Sequence, residues 1–265
     1  MLARQRQERI LEALRASGGV RVSDLTEELN VSYMTIRRDL DALAERGLVE
    51  KVHGGATVAT QRTADEPGFE AKSFRERPEK EAIAAEAVRL VRPGTAIGVT
   101  AGTTTWTLAR YLRDIPNLTV VTNSVPVAEV MRRSGRTDLS IVLTGGLRTP
   151  SDALVGPVAD QAVRSMHVDI LFMGVHGMEE RGGFTTPNLL EAETNRALVR
   201  SARQLVVVAD HTKWGIVGLS TIAGLDEADV LVSDDRLGPD AQATLGEHVG
   251  KLVIARSVED NGNSA

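Results

Sequence analysis

Cysteine is absent from this 265-residue chain, and its absence excludes several kinds of site at once. Disulfides, thiolate zinc sites, iron–sulfur clusters and cysteine nucleophiles all need a thiol. A chain without cysteine also suits a reducing compartment, so we expect a cytoplasmic location. The five histidines lack the spacing of a metal site, and we predict no metal and no bound cofactor.

Long apolar runs and aromatic residues are also scarce. No segment approaches the ~18 consecutive apolar residues of a membrane-spanning helix, and the charged segment Met1–Arg9 leads into no apolar signal core. Aromatic residues make up 3% of the chain, too few for a protein that holds single-stranded nucleic acid mainly by stacking. With 42% hydrophobic and 25% charged residues, the composition predicts one large folded domain or two ordinary ones, with no membrane partner.

The chain has no excess of positive charge either. Residues 1–60 carry nine Lys or Arg and nine Asp or Glu, while residues 61–265 carry 22 and 27, a net charge of −5. Neither part is the basic module that usually indicates a nucleic-acid-binding protein. Any contact with DNA must therefore depend on charge that is sorted locally.

Residues 1–58 show the pattern of a small helical domain with a hairpin. Apolar spacing predicts helices over Ala3–Ala16, over Asp24–Leu29 with Ser23 as N-cap, and from the N-cap Ser32 to about Arg46, where Gly47 ends the third helix. Leu48–Val52 and Ala56–Val58 then alternate like two strands around the turn His53–Gly55. A helix-turn-helix followed directly by a hairpin is a winged helix.

The third predicted helix has two distinct faces. Ile36, Leu40 and Leu43 cluster on one side, which must be the buried one. Arg37 and Arg38 leave that face in the first half of the helix, where a recognition helix contacts base edges. A solvated face with two ordinary surface arginines is the alternative, and charge alone does not decide between them.

The motifs resemble those of the DeoR family of bacterial transcriptional repressors, in its glycerol-3-phosphate-repressor-like form. The resemblance rests on Val31–Leu40 (VSYMTIRRDL), Gly47–Val49 and His53–Ala56 (HGGA). It implies double-stranded operator DNA as the partner and negative control of transcription. We accordingly predict that DNA is contacted by Ser32, Tyr33, Met34, Thr35, Arg37, Arg38, Lys51, His53 and Gly54.

Residues 59–73 lack periodicity and contain Pro67-Gly68, which is typical of a linker. Over residues 74–258, apolar runs then alternate with helical patterns, and this predicts an open, mostly parallel sheet covered by helices on both faces. The runs are Thr95–Val99, Leu118–Thr122, Ser140–Leu143, Val168–Gly174, Leu205–Ala209, Val230–Ser233 and Lys251–Ala255, and the helical patterns include Thr105–Leu112, Val125–Arg133, Pro157–Met166 and Glu191–Ala202.

Small, hydroxyl and amide residues follow several of these strands. Ligands of such sheets bind beyond the carboxyl ends of the strands, and free N–H groups at a helix start favour an anion. The candidates for binding a ligand are Gly102, Thr103, Thr104, Thr105, Asn123, Ser124, Gly145, Gly146, Arg148 and Lys213. Each loop alone could be a helix cap or a tight turn. Since the chain lacks the GxGxxG and Gly-Lys-Ser/Thr motifs, a small phosphorylated metabolite is favoured over NAD or ATP.

The resemblance extends over this larger domain, and implies a fold related to ribose-5-phosphate isomerase and a sugar phosphate, or a similar ligand, that releases DNA. Two positions depart from the family pattern. Thr100 stands where an acidic residue is usual, and Asn195 stands where a lysine is frequent.

Three functions compete for this sequence, and a ligand-controlled repressor without enzymatic activity is preferred. A sugar-phosphate isomerase-like enzyme with an accessory DNA-binding head would need a carboxylate base, for which Asp152, Asp169, Glu191 and Asp210 are available. A structural DNA-binding protein leaves the pocket residues unexplained. Because one winged helix offers few contacts, we expect a homo-oligomer, either a dimer or a tetramer.

Overall fold

In the computed structural model, the described residues of the N-terminal unit form three helices and a three-stranded antiparallel sheet. The structure describes residues 3–45, 48–52, 54–58, 68–69, 73 and 76–256. The chain divides into two units, and the described residues of the first are those up to Val58. Its elements are α1 (Ala3–Ser17), β1 (Gly19–Arg21), α2 (Val22–Leu29), α3 (Tyr33–Glu45), β2 (Val49–Val52) and β3 (Gly55–Val58). The strand order β1-β3-β2 places the hairpin strand β3 in the middle. The predicted winged helix is confirmed.

The core of this unit is formed by one face of each helix. Ile36, Leu40 and Leu43 of α3 are at most 2% exposed and pack with Ile10 and Leu25. The predicted buried face of α3 is therefore confirmed. Each such side chain contributes about 1.5–3 kcal/mol through burial, so the orientation of α3 is determined by its apolar face.

One local prediction for this unit was wrong, and one strand was missed. Helix α2 begins at Val22, so Ser23 lies inside the helix, and Arg21 at the N-cap makes no side-chain cap bond. Strand β1 was not predicted at all, because three residues are too few for an alternating pattern to be recognised. Ser32 does cap α3, since its Oγ accepts the Thr35 N–H at 3.2 Å. Arg46 and Gly47, the predicted end of α3, lie outside the described residues.

Two glycines permit the tight hairpin. Gly54 has a φ of +77°, a left-handed conformation that favours glycine, and its carbonyl accepts the Val22 N–H at 2.9 Å. A Cβ on Gly55 would lie 2.1 Å from the Val20 carbonyl oxygen. The backbone of the hairpin can therefore reach β1 only with glycine at position 55.

The larger unit alternates strands and helices through most of its length. Its elements are α4 (Arg77–Ala87), β4 (Ala96–Val99), α5 (Thr103–Leu112), β5 (Thr119–Thr122), α6 (Val125–Arg132), β6 (Ser140–Leu143), β7 (Leu147–Arg148), β8 (Leu154–Val155), α7 (Pro157–Arg164), β9 (Val168–Gly174), β10 (Gly177–Glu179), β11 (Gly183–Thr186), α8 (Leu189–Ser201), β12 (Ala202–Val208), β13 (Ser220–Ala223), β14 (Val230–Asp234), α9 (Pro239–His248) and β15 (Leu252–Ala255).

Seven of these strands form one parallel sheet in the order β15-β14-β12-β9-β4-β5-β6. Alternate residues of β12 enter different cores: Val206 and Val208 belong to one apolar cluster, and Leu205 and Val207 to the other. Both faces of the sheet are thus covered, and the predicted fold class is confirmed. No helix among the described residues is long and apolar enough to cross a membrane.

Several elements of the larger unit were missed by sequence reasoning. Helix α4 is rich in alanine and charge, so its apolar stripe is narrow. Strands β10, β11 and β13 form a separate antiparallel sheet of three- and four-residue strands. Ala202 begins β12 instead of ending the preceding helix.

Candidate functional site

Helix α3 presents an exposed polar face opposite its buried stripe. Tyr33 and Met34 are 51% and 58% exposed, and Arg37 and Arg38 are exposed as well. The Arg37 guanidinium carbon lies 6.0 Å from the centre of the Tyr33 ring. The structure therefore brings four of the predicted DNA-contacting side chains together in the first two turns of α3.

Ser32 and Thr35 are occupied with each other at the start of α3. Their hydroxyl oxygens lie 2.9 Å apart, and Ser32 also caps the helix. A side chain that caps a helix typically contributes about 1 kcal/mol to stability. These two predicted DNA contacts thus have a structural role already.

The wing is joined to α3 by an ion pair. The Lys51 ammonium donates a hydrogen bond to the Asp41 carboxylate. This hydrogen bond is the main reason that the pKa of Asp41 is lowered. Lys51 and Gly54 line a cleft of about 280 Å³ together with Tyr33 and Arg37. Lys51 is therefore near α3, but the Asp41 carboxylate offsets part of its positive charge. His53, another predicted contact, lies outside the described residues.

A buried ion pair ties α3 to the first helix. Arg6 of α1 donates through two nitrogens to the carboxylate of Asp39, and Gln7 donates to the same carboxylate at 3.3 Å. The Arg6 and Asp39 side chains are only 11% and 5% exposed. Sequence reasoning missed this pair because its members lie 33 positions apart and each resembles an ordinary surface charge.

The larger sheet changes its winding direction between β4 and β9. From β4 the chain adds β5 and β6 on one side, and it then places β9 and β12 on the other. A crevice at the carboxyl ends of the strands is expected at such a switch point. The loops after β4 and β9 meet there, since Thr100 Oγ1 accepts the Gly174 N–H at 3.0 Å.

The turn into α5 lies at this switch point. Gly102 has a φ of +154°, and a Cβ there would meet Thr105 Oγ1 at 3.1 Å. Thr105 Oγ1 donates to the Gly102 carbonyl at 3.0 Å. Thr103 and Thr104 are 8% and 6% exposed, and no described residue bonds to either hydroxyl. Two hydroxyls and the free N–H groups of a helix start are thus available for an anion.

Asn123 and Ser124 lie directly beside this turn. Asn123 Oδ1 accepts the Ala101 N–H at 3.0 Å, while its carbonyl accepts the Leu154 N–H at 2.7 Å. Ser124 Oγ caps α6 by accepting the Val127 N–H at 3.3 Å. Both side chains are about 1% exposed. Their present role is to connect the loops of the edge rigidly.

Gly145, Gly146 and Arg148 follow the edge strand β6. A Cβ on Gly146 would lie 2.5 Å from the Val155 carbonyl oxygen, so this glycine permits close backbone packing. Arg148 donates to Asp152 at 2.7 Å, and its side chain is 66% exposed. These residues lie beyond β6, which is two strands away from β4, and Gly146 and Arg148 each have a contact that explains them without a ligand.

Lys213 lies in the turn that follows β12, next to β9 in the sheet. The turn begins at Asp210, whose Oδ1 accepts the Thr212 N–H at 3.1 Å. Asp210 is 1% exposed, and its Oδ2 is buried with no hydrogen-bond partner among the described residues. Asn195 Oδ1 is buried and unpartnered in the same way. Burial of such acceptors is costly unless something donates to them.

The same turn is fastened by a histidine–carboxylate pair that sequence reasoning did not find. Asp234 Oδ2 accepts the His211 N–H at 2.7 Å, and Asp234 Oδ1 lies 2.8 Å from His211 Nδ1. The hydrogen bond with Asp234 raises the pKa of His211 above its ordinary value, although burial acts in the opposite direction. Burial tends to raise the pKa of Asp234, but the bonds from His211 outweigh it and lower that pKa.

Two family descriptions match the chain, one for each unit. The DeoR-like helix-turn-helix domain matches residues 6–62, and the DeoR C terminal sensor domain matches residues 75–235. The second match alone covers more than half of the chain.

Characterised and uncharacterised regulators are similar to the chain over nearly its whole length. It is 36% identical over 255 residues to the HTH-type transcriptional regulator GlpR of Haloferax volcanii, covering 96% of this chain and 98% of that protein. It is 34% identical over 254 residues to the uncharacterized HTH-type transcriptional regulator YulB of Bacillus subtilis, with 96% and 97% covered. A putative aga operon transcriptional repressor of Escherichia coli is 33% identical, with 89% and 88% covered.

A solved structure of ribose 5-phosphate isomerase from Methanocaldococcus jannaschii is 20% identical, with a TM-score of 0.38, and 51% of this chain and 53% of that chain are covered.

Proposed function

The chain belongs to the DeoR family of DNA-binding transcriptional regulators, and we propose that it is a repressor of carbohydrate-metabolism genes that a small phosphorylated sugar releases from its operator. We assign residues 1–58 to operator binding, 59–73 to a linker, and 74–258 to effector binding and assembly. The relatives named above as regulators and as an operon repressor support this proposal.

The exposed face of α3 supports the DNA half of the proposal. Arg37 and Arg38 are exposed on the turns where a recognition helix contacts bases, and the apolar face behind them fixes their direction. Because Lys51 is paired with the Asp41 carboxylate, we assign Lys51 a weaker contact with phosphate than an unpaired lysine would make. The chain is not basic overall, so this local face has to supply the attraction to DNA.

The observation that most directly supports effector binding by the larger unit is the turn into α5. Thr103 and Thr104 keep two hydroxyls without a described partner, at the N-terminus of a ten-residue helix and at the switch point of the sheet. That combination suits a phosphate group. Asp210 follows β12, which is separated from β4 only by β9 in the sheet. Its buried, unpartnered Oδ2 suits a hydroxyl donor of the same ligand.

Assembly is part of the proposal. A single winged helix makes few contacts, and two copies bound to paired half-sites gain affinity through effective concentration. We therefore assign a dimer or tetramer to the active protein, with the larger unit as the assembly surface. Sedimentation at micromolar concentration tests this directly, and a monomer that binds its operator tightly contradicts it.

The experiment that tests the proposed function measures binding to DNA from upstream of the protein's own gene. Fluorescence anisotropy gives the operator Kd alone and with glycerol 3-phosphate, ribose 5-phosphate, fructose 1-phosphate or glucose 6-phosphate. Each unphosphorylated parent is the matched control. We expect one phosphorylated compound to weaken operator binding while its parent does not. Equal effects of a phosphate and its parent would remove the phosphate site.

An isomerase-like enzyme is the second candidate, and one observation favours it. The unpartnered carboxylate oxygen of Asp210 has the chemistry of a general base. Isomerisation of ribose 5-phosphate measured beside the DNA-binding assay separates the two functions. Turnover that is lost in Asp210→Asn would support the enzyme, whereas release from DNA without turnover supports the repressor.

A further inference from the structure

Helix α4 carries two acidic residues whose side chains bond to two different elements of the larger unit. Glu79 Oε1 accepts from the Arg236 guanidinium at 2.8 Å. Glu81 accepts from Arg110 of α5 at 2.6 Å and from the Tyr111 hydroxyl at 2.9 Å. One helix is thus joined by polar contacts to the loop after β14 and to the helix whose start forms the candidate phosphate site.

Arg236 is connected in turn to the turn that carries Asp210 and Lys213. The Arg236 N–H donates to Asp234 Oδ1 at 3.1 Å, and Asp234 accepts both the backbone N–H and the ring nitrogen of His211. A continuous set of bonds therefore runs from the turn after β12, through Asp234 and Arg236, to Glu79 on α4. None of its steps depends on a described contact longer than 3.1 Å.

The acceptors of these contacts are buried, although the Arg236 side chain itself is 59% exposed. Asp234 is fully buried and Glu79 is 6% exposed, so neither carboxylate can exchange its partner for water without cost. Glu79 Oε2 is buried with no described partner, which leaves Arg236 as the cation that compensates this group among the described residues. Arg236 also reaches Glu76 at 3.3 Å.

Apolar side chains pack α4 directly against α5. Ile83, Ala84 and Ala87 of α4 are fully buried in one cluster with Leu108 and Leu112 of α5. Close-packed interiors transmit small displacements because they cannot absorb them in voids. We expect a displacement of α5 to reach α4 through this core, and also through the bonds of Glu81 to Arg110 and Tyr111 in the last turn of α5.

The position of α4 in the chain gives these contacts a consequence. The helix begins at Arg77, immediately beyond the predicted linker 59–73, and Glu76 precedes it. We propose that α4 is the element through which effector occupancy reaches the linker, and that the Arg236–Glu79 bond is the positioning contact that couples the Asp210–Lys213 turn to it. This inference rests on the proposed function and names its regulatory contact.

The coupling can be separated from binding by measurement. An effector changes operator affinity only by its differential affinity for two states of the protein. If Arg236–Glu79 transmits that difference, breaking the bond must leave each Kd measured alone nearly unchanged and must reduce the ratio of operator Kd with and without effector. A merely structural bond would change stability and both affinities together.

The test uses the full-length protein and the sugar phosphate of the four above that releases the wild type most strongly. Arg236→Gln and Glu79→Gln are compared with Arg89→Gln, which removes an exposed pair with Glu86 close to the same helix. For Arg236→Gln and Glu79→Gln we expect the ratio of the operator Kd with effector to the operator Kd without it to fall to within about twofold of 1. An effector typically changes affinity ~5–150-fold in coupled regulators. Arg89→Gln should keep the wild-type ratio, and Arg236→Lys should restore part of it.

The outcomes distinguish this inference from the proposed function. A wild-type ratio retained in both Arg236→Gln and Glu79→Gln overturns the coupling role alone. A wild-type protein that binds its operator and responds to none of the four compounds overturns the effector half of the proposed function and the inference with it. If Arg236→Gln does not fold, Glu79→Gln decides, since it keeps the guanidinium and removes only the charge of its partner.

Discussion

The two units of the chain expose their polar groups in opposite ways. On α3, Tyr33, Met34, Arg37 and Arg38 stand in solvent. At the edge of the large sheet the uncharged polar residues of the β4 and β5 loops are nearly fully buried, and Thr100 and Asn123 are bonded to backbone groups of neighbouring loops. Exposed cations suit a long-range attraction to a large, charged partner that depends on salt. Buried and preordered groups suit a small ligand, because little ordering remains to be done on binding.

The largest expected effect is the loss of operator affinity when the two arginines of α3 are removed. We expect Arg37→Ala with Arg38→Ala to weaken operator binding by about 2–6 kcal/mol, since one base-reading arginine contributes roughly 1–3 kcal/mol. Anisotropy at several salt concentrations checks this, and the slope against salt should become shallower if either residue holds phosphate. Arg9→Ala, which removes an exposed cation of α1, is the control. Unchanged affinity with intact helical circular dichroism contradicts the assignment.

A second change addresses the buried edge. Thr104→Glu places a carboxylate where the phosphate is expected, so effector binding should fall by ~100-fold or more, because like charges in contact cost several kcal/mol. Operator binding without effector should stay as in the wild type. Calorimetry with the releasing sugar phosphate gives the first quantity and anisotropy gives the second.

The control for Thr104→Glu is Ala243→Glu on α9, which adds the same charge at an exposed position. If Thr104 merely supports the helix start, Thr104→Glu will instead lower the melting temperature and weaken DNA binding along with effector binding. That result removes the phosphate site.

A third change separates packing from ligand contact at the edge strand β6. Gly146→Ala forces a Cβ against the Val155 backbone at a φ of +117°, and strain of this kind costs of order 1–3 kcal/mol. Gly145→Ala meets only Val158 at 3.7 Å and should cost about 1 kcal/mol for its left-handed conformation. Urea unfolding measures both. A loss of effector affinity without loss of stability in Gly146→Ala would restore this glycine as a ligand contact.

These contrasts also show what the sequence could predict. Strand β9 was predicted at its observed bounds, Val168–Gly174, because a run that is apolar except at Asp169 indicates a strand largely buried on both faces. The turn at Gly102–Thr105 was predicted because glycine and hydroxyl residues mark a helix start locally. Each of these signals lies within a few consecutive residues.

The missing parts depend on pairs that are distant in the chain. Arg236 and Glu79 are 157 positions apart, and Arg6 and Asp39 are 33 apart. Asp234 follows the predicted strand Val230–Ser233 like an ordinary polar turn residue, yet it is the last residue of β14 and is fully buried. A single sequence shows residue types but not which charges meet, so the fold class was predictable and the network behind the candidate site was not.

The smallest expected effect concerns pH and the same network. His211 has a raised pKa because of its bond with Asp234; Asp210 acts in the same direction and Arg236 against it. A pKa higher in the folded than in the unfolded protein means that the His211–Asp234 pair stabilises fully below about pH 6.5, the ordinary value of histidine. That contribution is lost as the pH rises through the folded pKa.

We therefore expect the difference in unfolding free energy between wild type and His211→Gln to shrink as the pH rises from 6 to 9. Urea unfolding at each pH measures it. His248→Gln is the matched control, because the His248 ring bonds the Thr244 carbonyl instead of a carboxylate. A His211→Gln difference that grows with pH would mean that the ring is neutral when it holds Asp234. The buried Asp234 would then be held by a neutral ring and by the backbone N–H groups of His211 and Arg236 instead of by a charged partner.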